Sequence, residues 1–302
     1  MEVITIDQWP DPEPRDYRPE LEAGNVILFP TTPFALSETS KEFLRGLDFS
    51  GGAVHKNIAY RPTVDRVTGV DPKSVEMGTL HNVFQEYSRN VIEFTRELLP
   101  QYASAWKLDY ASYRPLEEKG RDLPLNKRND LIHTDAFPSR PTNGDLILRV
   151  FTNIHPAEPR VWITSDPFSI VAERYARDAG LNELAARARA PLRRFRNHLL
   201  RGLRSLRLPL VPRSPYDEFM LRFHDYLKRN QEFQSTTKYE FGFPPGSTWL
   251  AFTDVLPHSV QSGQYALEQT FIVARKSMAM PENAPIAILE RLCGKPLAAE
   301  SA

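Results

Sequence analysis

The clearest hydrophobic pattern in the chain is an apolar stripe between about Lys73 and Leu99. Large apolar residues recur there at three- and four-residue steps, the spacing that places side chains on one face of an α-helix. They are Leu80, Val83, Phe84, Tyr87, Val91, Phe94 and Leu98. Pro100 ends the pattern, because proline cannot continue a helix. The sequence therefore predicts a long helix whose apolar face packs against the core.

The rest of the N-terminal portion shows weaker patterns. Residues 1–22 are rich in proline and acidic side chains and are predicted to be irregular, whereas residues 25–29 read as a strand that Pro30 closes. A short helix is predicted to begin at Ser37. Residues 50–73 combine Gly, Pro and scattered charge, and we expect a long loop there.

Beyond Lys107 the pattern changes to short β-type runs separated by turn residues. Such runs favour a sandwich or barrel over a parallel α/β sheet, so the predicted fold class is mainly β with flanking helices (α+β). We expect a single domain over 1–302, with a helical and loop portion at 1–100, core strands within 107–165 and 248–275, and a helical, Arg-rich insertion at about 169–235. The individual runs are 107–113, 130–133, 145–153, 160–165, 248–254 and 267–274.

Composition narrows the picture only slightly. The 38 basic and 38 acidic side chains among 302 residues cancel, so the overall charge indicates no partner. The single cysteine, Cys293, excludes an intramolecular disulfide and a Cys-rich zinc site. The N-terminus has acids and prolines where a signal peptide needs a basic patch and an apolar run, and no apolar stretch approaches a membrane span. We expect a cytoplasmic protein.

Three residues form the candidate chemical site. Residues two apart in a strand point to the same side, so His133 and Asp135 present an imidazole and a carboxylate toward one point. A distant histidine, His258, would complete a facial triad of two histidines and one carboxylate. Such a triad leaves three positions of an octahedral ion open, two for a chelating 2-oxo acid and one for O2. The nitrogen and oxygen ligands favour Fe(II).

A His-x-Asp tripeptide by itself is common, and the alternative is that His133 caps a strand while His258 is an ordinary loop residue. The motif His-x-Val-x-x-Gly at His258, before a last strand, favours the metal site. The remaining histidines are poorer candidates. They lack a carboxylate at strand spacing or lie in a turn: His55, His81, His155, His198 and His224.

The insertion contains an unusual basic segment. Nine arginines fall between Arg187 and Arg213, interleaved with leucines at helical spacing, and no acidic residue lies between Leu184 and Tyr216. An amphipathic, Arg-rich helix is typical of a surface that binds anionic head groups. Two other interpretations compete: a solvated helix whose charges pair elsewhere, and a nucleic-acid surface, although stacking aromatics are scarce.

The chain resembles the Kdo hydroxylases, Fe(II)/2-oxoglutarate/O2-dependent enzymes that hydroxylate C3 of 3-deoxy-D-manno-oct-2-ulosonic acid (Kdo) in the lipopolysaccharide inner core. The resemblance rests on HTDAFPSRPTNGDLILRVFTNIHP, EPRVWITSDPF and HSVQSGQYALEQTF and covers most of the chain. It implies a double-stranded β-helix (jelly-roll, cupin-like) core with Fe(II) on His133, Asp135 and His258. It also implies a Kdo-lipid A precursor as substrate, conversion of Kdo to its 3-hydroxy form (Ko), and release of succinate and CO2.

The same resemblance favours the lipid interpretation of the basic segment. Kdo-lipid A carries carboxylates, phosphates and acyl chains, which match a basic amphipathic surface. We therefore expect peripheral contact with an anionic membrane surface through the Arg187–Arg213 region, at the cytoplasmic face of the inner membrane, and no nucleic-acid partner.

The groups that hold 2-oxoglutarate are less clear from the sequence. Many relatives place an arginine about ten residues after the second histidine, where this chain has Glu268 and Gln269. A substitute should come from another strand of the same pocket, and an arginine is preferred because its planar fork binds a carboxylate through two hydrogen bonds. Arg149 and Arg160 interrupt otherwise apolar strands and are the best candidates, with Asn153 and Gln269 as further donors.

Three other functions remain open at this stage. The chain could be a 2-oxoglutarate oxygenase for another substrate, a cupin-like isomerase that uses the same ligands without O2, or a non-catalytic β-barrel module that binds anionic glycolipid.

Overall fold

The elements below are those of a computed structural model, which describes residues 1–48, 54–73, 75–187, 212–236 and 238–299. The helices are α1 (Arg18–Glu22), α2 (Glu38–Arg45), α3 (Met77–Leu98), α4 (Pro100–Ala103), α5 (Phe168–Tyr175), α6 (Leu181–Arg187), α7 (Pro215–Arg229), α8 (Gln231–Ser235) and α9 (Pro285–Cys293). The strands are β1 (Val3–Thr5), β2 (Val26–Phe29), β3 (Val54–Arg61), β4 (Arg66–Val70), β5 (Trp106–Arg114), β6 (Leu146–Asn153), β7 (Arg160–Thr164), β8 (Tyr239–Phe243), β9 (Thr248–Phe252), β10 (His258–Ser262) and β11 (Ala266–Val273).

The strands form two sheets that face each other. The larger sheet has the order β1-β2-β9-β6-β11-β5-β3-β4, and the smaller has the order β10-β7-β8. Most pairings are antiparallel, and β1–β2 is parallel. An isolated bridge joins His133 to His258. The predicted jelly-roll type of core is confirmed, although the two sheets do not close into one barrel over the described residues.

The central strand β6 shows how the large sheet is used on both faces. Its residues are all buried, and they alternate between two environments. Leu148 and Val150 belong to the main hydrophobic core, which also contains the helices. Phe151 belongs to a second cluster that both sheets build, with Trp162 from β7 and Trp249 from β9. The inner face of the large sheet, which also carries Arg149, therefore lines the space between the sheets.

The predicted long helix is confirmed as α3. Every residue of the apolar stripe is buried, from Leu80 to Leu98, and the chain leaves the helix before Pro100. Burying large apolar side chains contributes about 1.5–3 kcal/mol each, so this stripe is the main attachment of α3 to the outer face of the large sheet. Ser88 on α3 donates a hydrogen bond to Gln269 Oε1 of β11 at 2.7 Å.

Two predictions for the N-terminal portion were wrong. Residues 1–22 are not wholly irregular, because β1 and α1 lie there, and much of 50–73 is the hairpin β3–β4 rather than a loop. β3 lies next to the edge strand β4, and among its residues 57–61 Ile58 and Tyr60 alternate with more exposed side chains. That signal is too short to separate a strand from a loop in the sequence.

The other strand boundaries shift in a similar way. Residues 130–133 form only the bridge at His133 instead of a strand, and β8 was not predicted. His258 precedes the final strand, β11, as predicted, and it also begins a short strand of its own, β10. The insertion is helical in its described parts, α5 to α8, but most of the Arg-rich segment (188–211) lies outside the described residues. Among the described helices, none combines the length and the apolar character that a bilayer span requires.

Candidate active site

The two histidines of the predicted triad are cross-strand neighbours. The His133 amide donates to the His258 carbonyl at 3.0 Å, and the His258 amide donates to the His133 carbonyl at 2.9 Å. Directly opposite residues of an antiparallel pair project to the same side, and the two imidazole centroids lie 5.1 Å apart. A single β-bridge thus brings together two histidines that are 125 residues apart in the sequence (258 minus 133).

Asp135 joins them two residues further along. Its amide donates to the Thr253 carbonyl at 2.9 Å, which holds this segment against the end of β9. The Asp135 Oδ1 atom lies 3.8 Å from His133 Nε2. All three side chains are buried, and one potential ligand atom from each lies within 4.8 Å of the other two. The predicted convergence of His133, Asp135 and His258 is therefore present.

Backbone contacts fix the orientation of both imidazoles. His133 Nδ1 lies 2.7 Å from the Leu131 carbonyl, and His258 Nδ1 lies 3.0 Å from the Leu256 carbonyl. A carbonyl oxygen can only accept, so each Nδ1 must carry the proton. Each Nε2 then keeps a lone pair, which is the form of histidine that binds a metal. Trp162 stacks on the His258 ring at 4.7 Å and holds its plane.

The charge states suit metal binding. Burial lowers the pKa of His133 and of His258, so both rings are neutral near pH 7. Burial alone would raise the pKa of Asp135, but the Arg149 guanidinium, 3.2 Å from Asp135 Oδ2, acts together with the two imidazoles and Thr253 to hold that pKa below its usual range. The site thus offers two neutral nitrogens and one carboxylate.

These residues fit a single divalent ion. Adjacent ligands bound at about 2.1 Å lie about 3 Å apart, and small side-chain rotations bring the three atoms to that spacing. Asp135 Oδ2 is buried and, within the described part of the chain, accepts no hydrogen bond. Two histidines and one carboxylate on one face are the donor set of non-haem Fe(II) oxygenases. His133, Asp135 and His258 would hold the ion.

The triad opens into a cavity of about 430 Å³ between the sheets. Three arginines from both sheets line it: Arg114 at the end of β5 and Arg149 on β6 in the larger sheet, and Arg160 on β7 in the smaller. Helix α7 lines it as well, through Leu221, His224, Asp225 and Lys228. The cavity therefore combines a metal centre with cationic groups, as a pocket for anionic ligands requires.

The three arginines differ in their partners. Arg114 donates to Glu268 Oε2 through Nε and Nη2, at 2.9 and 2.5 Å. Arg149 lies between Asp135 and Glu268, 3.4 Å from Glu268 Oε1. Arg160 is 1% exposed, donates from Nη1 to the Gly263 carbonyl at 2.9 Å, and has Glu118 at 3.7 Å. Its Nε has no hydrogen-bond partner in the described structure.

Glu268 lies on the inner face of β11 and is paired with Arg114 and Arg149. The positive charge of the cavity therefore comes from β5, β6 and β7 and not from β11. Burial, followed by the nearby Arg114, lowers the pKa of Arg160 to about 10. An incoming anion would relieve that repulsion.

Two of the residues predicted to bind 2-oxoglutarate lie elsewhere, and those predictions are corrected. Gln269 is opposite Val150 in the register and faces the helices, where it contacts Ser88. Asn153 uses its amide to hold the turn beside β8, donating to the carbonyls of Glu158, Phe243 and Pro244. The strand register turns Gln269 away from the cavity, and the position of Asn153 at the end of β6 does the same for its side chain. Neither feature can be read from the sequence.

Several cavity residues were missed in the sequence. Arg114 lies one residue beyond the predicted end of its strand. His224 was set aside because no carboxylate lies at strand spacing from it, yet it reaches the site from a helix, with its ring 4.7 Å from that of His133. Lys228 lies one helical turn further along α7, and that spacing is the signal that could have found it.

A buried carboxyl behind the site makes a prediction about stability. Burial raises the pKa of Asp254 to about 7, and its Oδ2 has no hydrogen-bond partner in the described structure. Because the folded-state pKa lies above the unfolded value, the contribution of Asp254 to the free energy of unfolding is fully present below about pH 4. It is lost as the pH rises through about 7. We expect Asp254→Asn to stabilise the metal-free protein at pH 8 by about 1–4 kcal/mol.

Denaturant unfolding at pH 4.5 and pH 8 measures that effect. The matched control is Asp217→Asn at the start of α7, which removes a carboxylate that accepts from the Thr142 and Asn143 amides and should destabilise at both pH values. An equal effect of Asp254→Asn at the two pH values would contradict the assignment of the raised pKa.

The fold and the site together define a class. A two-sheet jelly-roll core with two histidines and one carboxylate beside a cationic cavity is the arrangement of the mononuclear non-haem iron oxygenases that use a 2-oxo acid.

The comparisons with known proteins specify the family. The profile of the 3-deoxy-D-manno-oct-2-ulosonic acid (Kdo) hydroxylase family matches residues 7–296, and the chain belongs to this family. A crystal structure of the Kdo hydroxylase KdoO, a non-haem Fe(II) α-ketoglutarate-dependent dioxygenase with α-ketoglutarate and Fe(III), is 32% identical. The match covers 100% of this chain and 99% of that one, with a TM-score of 0.83.

Two further KdoO structures agree. The complex with succinate and Fe(III) is 32% identical over 99% of this chain and 98% of that one, at a TM-score of 0.83. The cobalt(II) complex is 33% identical over the same shares, at a TM-score of 0.84. A search of curated protein sequences gives no significant match. The family, the enzyme class and the cofactors predicted from the sequence are confirmed.

Proposed function

We propose that this protein hydroxylates C3 of the Kdo sugar of a Kdo-lipid A precursor, using Fe(II), 2-oxoglutarate and O2 and releasing succinate and CO2. The observation that carries the proposal is the convergence of His133, Asp135 and His258 at one wall of a cationic cavity. Family membership and the KdoO structures support the reaction type. The C3 position and the lipid follow from the sequence resemblance and are our inference.

Bound iron would supply the oxidising chemistry, and the protein's own residues supply position and charge. His133, Asp135 and His258 would hold the ion at one wall of the cavity. Arg149 holds the Asp135 carboxylate ionised and aimed at that position. Phe151 and Trp162 form apolar cavity wall next to the arginines, which keeps water away and strengthens the electrostatic interactions there.

We assign the distal carboxylate of 2-oxoglutarate to Arg160. Arg149 is held between Asp135 and Glu268, and Arg114 is committed to Glu268. Among the described residues, the partners of Arg160 are a carbonyl and a more distant carboxylate, and its Nε has no hydrogen-bond partner there. A guanidinium with open donors can bind a carboxylate through two parallel hydrogen bonds. Arg149 remains in the pocket as a supporting charge.

Gly263 gives this assignment a local test. Its φ is +124°, and a Cβ added there would lie 2.8 Å from Arg160 Cγ and 2.9 Å from Arg160 Cα. We expect Gly263→Ala to displace Arg160 and raise the KM for 2-oxoglutarate about tenfold or more, with a smaller effect on iron affinity. Gly246→Ala is the control, because its φ is also positive but a Cβ there meets nothing within 4 Å. Equal effects of the two variants on the KM would contradict this role of Gly263.

The membrane part of the proposal rests on the sequence. We propose that the Arg187–Arg213 region contacts anionic lipid while the enzyme remains peripheral at the cytoplasmic face of the inner membrane. Co-sedimentation with vesicles of anionic and of zwitterionic lipid measures the contact. Binding to anionic vesicles should weaken as salt rises, because the attraction is electrostatic. Equal binding to both vesicle types would contradict it.

One experiment separates the proposed activity from its alternatives. The protein is purified anaerobically and supplied with Fe(II) and 2-oxoglutarate, and succinate is measured in air with and without Kdo-lipid A. We expect substrate-stimulated succinate and a lipid product heavier by one oxygen atom. Succinate without a modified Kdo would indicate another oxygenase substrate. An isomerase would act without O2, and a binding module would form neither product.

A further inference from the structure

Helix α7, continued by the short helix α8, is hydrogen-bonded at three points to residues 132–143, a segment that includes His133 and Asp135. Asp217 at its start accepts from the Thr142 and Asn143 amides at 2.8 and 3.1 Å. His224 in its middle binds the Thr134 carbonyl at 2.8 Å through Nδ1. Just beyond its end, Gln234 accepts from the Ile132 amide and donates to the Ile132 carbonyl. The helix therefore keeps a fixed position relative to His133 and Asp135.

One face of α7 forms the helical wall of the cavity. Leu221, His224 and Lys228 follow each other at steps of three and four residues, which places them on the same side of a helix. All three line the cavity, as does Asp225. The proposed function assigns no role to these residues.

His224 presents an acceptor to the cavity. Its Nδ1 faces a carbonyl and must donate, so Nε2 carries the lone pair. The ring packs edge-on against His133 at 4.7 Å, with an interplanar angle of 70°. A ligand hydroxyl that approached the metal along this wall could donate a hydrogen bond to Nε2.

Lys228 is a cation held inside the protein. Its residue is 4% exposed, although lysine is almost never buried without an ionic role. The charged groups that act on it include Asp135, Asp225 and Asp130.

The second cationic group of the cavity lies in a different environment. Arg160 lies on β7, donates to the Gly263 carbonyl and has Glu118 at 3.7 Å, whereas Lys228 lies on α7. The cavity thus has two separate cationic positions, one on the strands and one on α7. A reaction with two carboxylate-bearing reactants, a 2-oxo diacid and a sugar acid, needs two such positions.

We propose that α7 is the sugar-acid subsite: Lys228 binds the substrate carboxylate and His224 Nε2 accepts a hydrogen bond from the neighbouring hydroxyl. This inference rests on the proposed function. In a 3-deoxy-2-ulosonic acid, C3 lies between C2, which carries the carboxylate, and C4, which carries a hydroxyl. Holding both neighbours on one helix face that is fixed to the metal ligands directs C3 toward the metal.

Binding measurements test the carboxylate contact without turnover. The cobalt(II)-loaded protein, saturated with 2-oxoglutarate without O2, is titrated with Kdo in a calorimeter. We expect Lys228→Met to raise the Kd for Kdo at least about tenfold, because the substitution removes a buried charge-assisted hydrogen bond. Lys228→Arg should recover part of the affinity. Arg229→Met is the matched control, because Arg229 is an exposed cation on the same helix and should leave the Kd unchanged.

Measuring the Kd of 2-oxoglutarate for the same variants shows which of the two ligands Lys228 binds. If Lys228→Met raised the Kd of 2-oxoglutarate and left that of Kdo unchanged, the lysine would belong to the co-substrate and the proposal would be overturned. If wild-type protein bound no Kdo and formed no substrate-stimulated succinate, the proposed function itself would fail. Wild-type binding with an unchanged Lys228→Met variant would overturn only the subsite.

The hydroxyl contact has its own readout. We expect His224→Phe to retain 2-oxoglutarate-dependent succinate but to form at least threefold less hydroxylated Kdo per succinate, because C3 is misdirected. His224→Gln keeps an acceptor and should restore part of this ratio. A product-to-succinate ratio that stayed at the wild-type value in His224→Phe would overturn the role of His224.

Discussion

Succinate formation is expected to fall below detection when any one of His133, Asp135 and His258 is replaced by alanine. Each replacement removes one of three protein ligands, and the two that remain cannot hold the ion on one face with its other positions open. Loss of a group that only orients a ligand typically costs 10–100-fold in metal affinity, and we expect loss of a ligand to exceed about 100-fold. Direct titration with Fe(II) or Co(II) measures this.

The metal effect must be separated from unfolding. His133 and His258 are neutral in the metal-free protein, so their removal leaves no buried charge behind, and the thermal midpoint should stay within a few degrees. Asp135→Asn is the better variant at its position, because it keeps the volume beside Arg149. His81→Ala removes a partly exposed histidine on α3 and should keep full activity. Wild-type succinate release from His133→Ala would disprove the metal assignment.

The second large effect is expected from Arg160→Met. Truncating one partner of a buried charge pair typically costs about 2–5 kcal/mol, which corresponds to an increase in the KM for 2-oxoglutarate of at least about 30-fold. Iron affinity should change little, because Arg160 contacts Gly263 and lies near Glu118, and none of its described polar contacts is with the triad. Steady-state kinetics at saturating Kdo-lipid A, with direct metal titration, measure both quantities.

Arg149→Met supplies the contrast. Arg149 contacts Asp135 and Glu268, so its loss should weaken metal binding as well as co-substrate binding. Arg160→Lys keeps the charge but not the planar fork and should be intermediate. If Arg149→Met raised the KM for 2-oxoglutarate more than Arg160→Met while iron affinity stayed at the wild-type value, the two arginines would have to exchange roles.

The sequence determined the parts of this protein that depend on local periodicity and on chemistry carried by short motifs. The three- and four-residue spacing of α3 predicted a buried helix face, because helical geometry alone places those side chains together. The two-residue spacing of His133 and Asp135 predicted a shared direction, because an extended chain alternates its sides. The motif strings predicted the family, which the profile match confirms.

Tertiary structure decided what the sequence left open. The bridge between His133 and His258 depends on long-range pairing that no local pattern specifies. Gln269 turned toward Ser88 rather than the cavity, because strand register decides which face a residue takes and a one-residue shift reverses it. His224 and Lys228 lie in the site because hydrogen bonds from α7 to Thr142, Asn143 and Thr134, which are distant in the chain, hold this helix beside the metal ligands. Local geometry is set by neighbouring residues, whereas convergence in space is set by the packing of the whole chain.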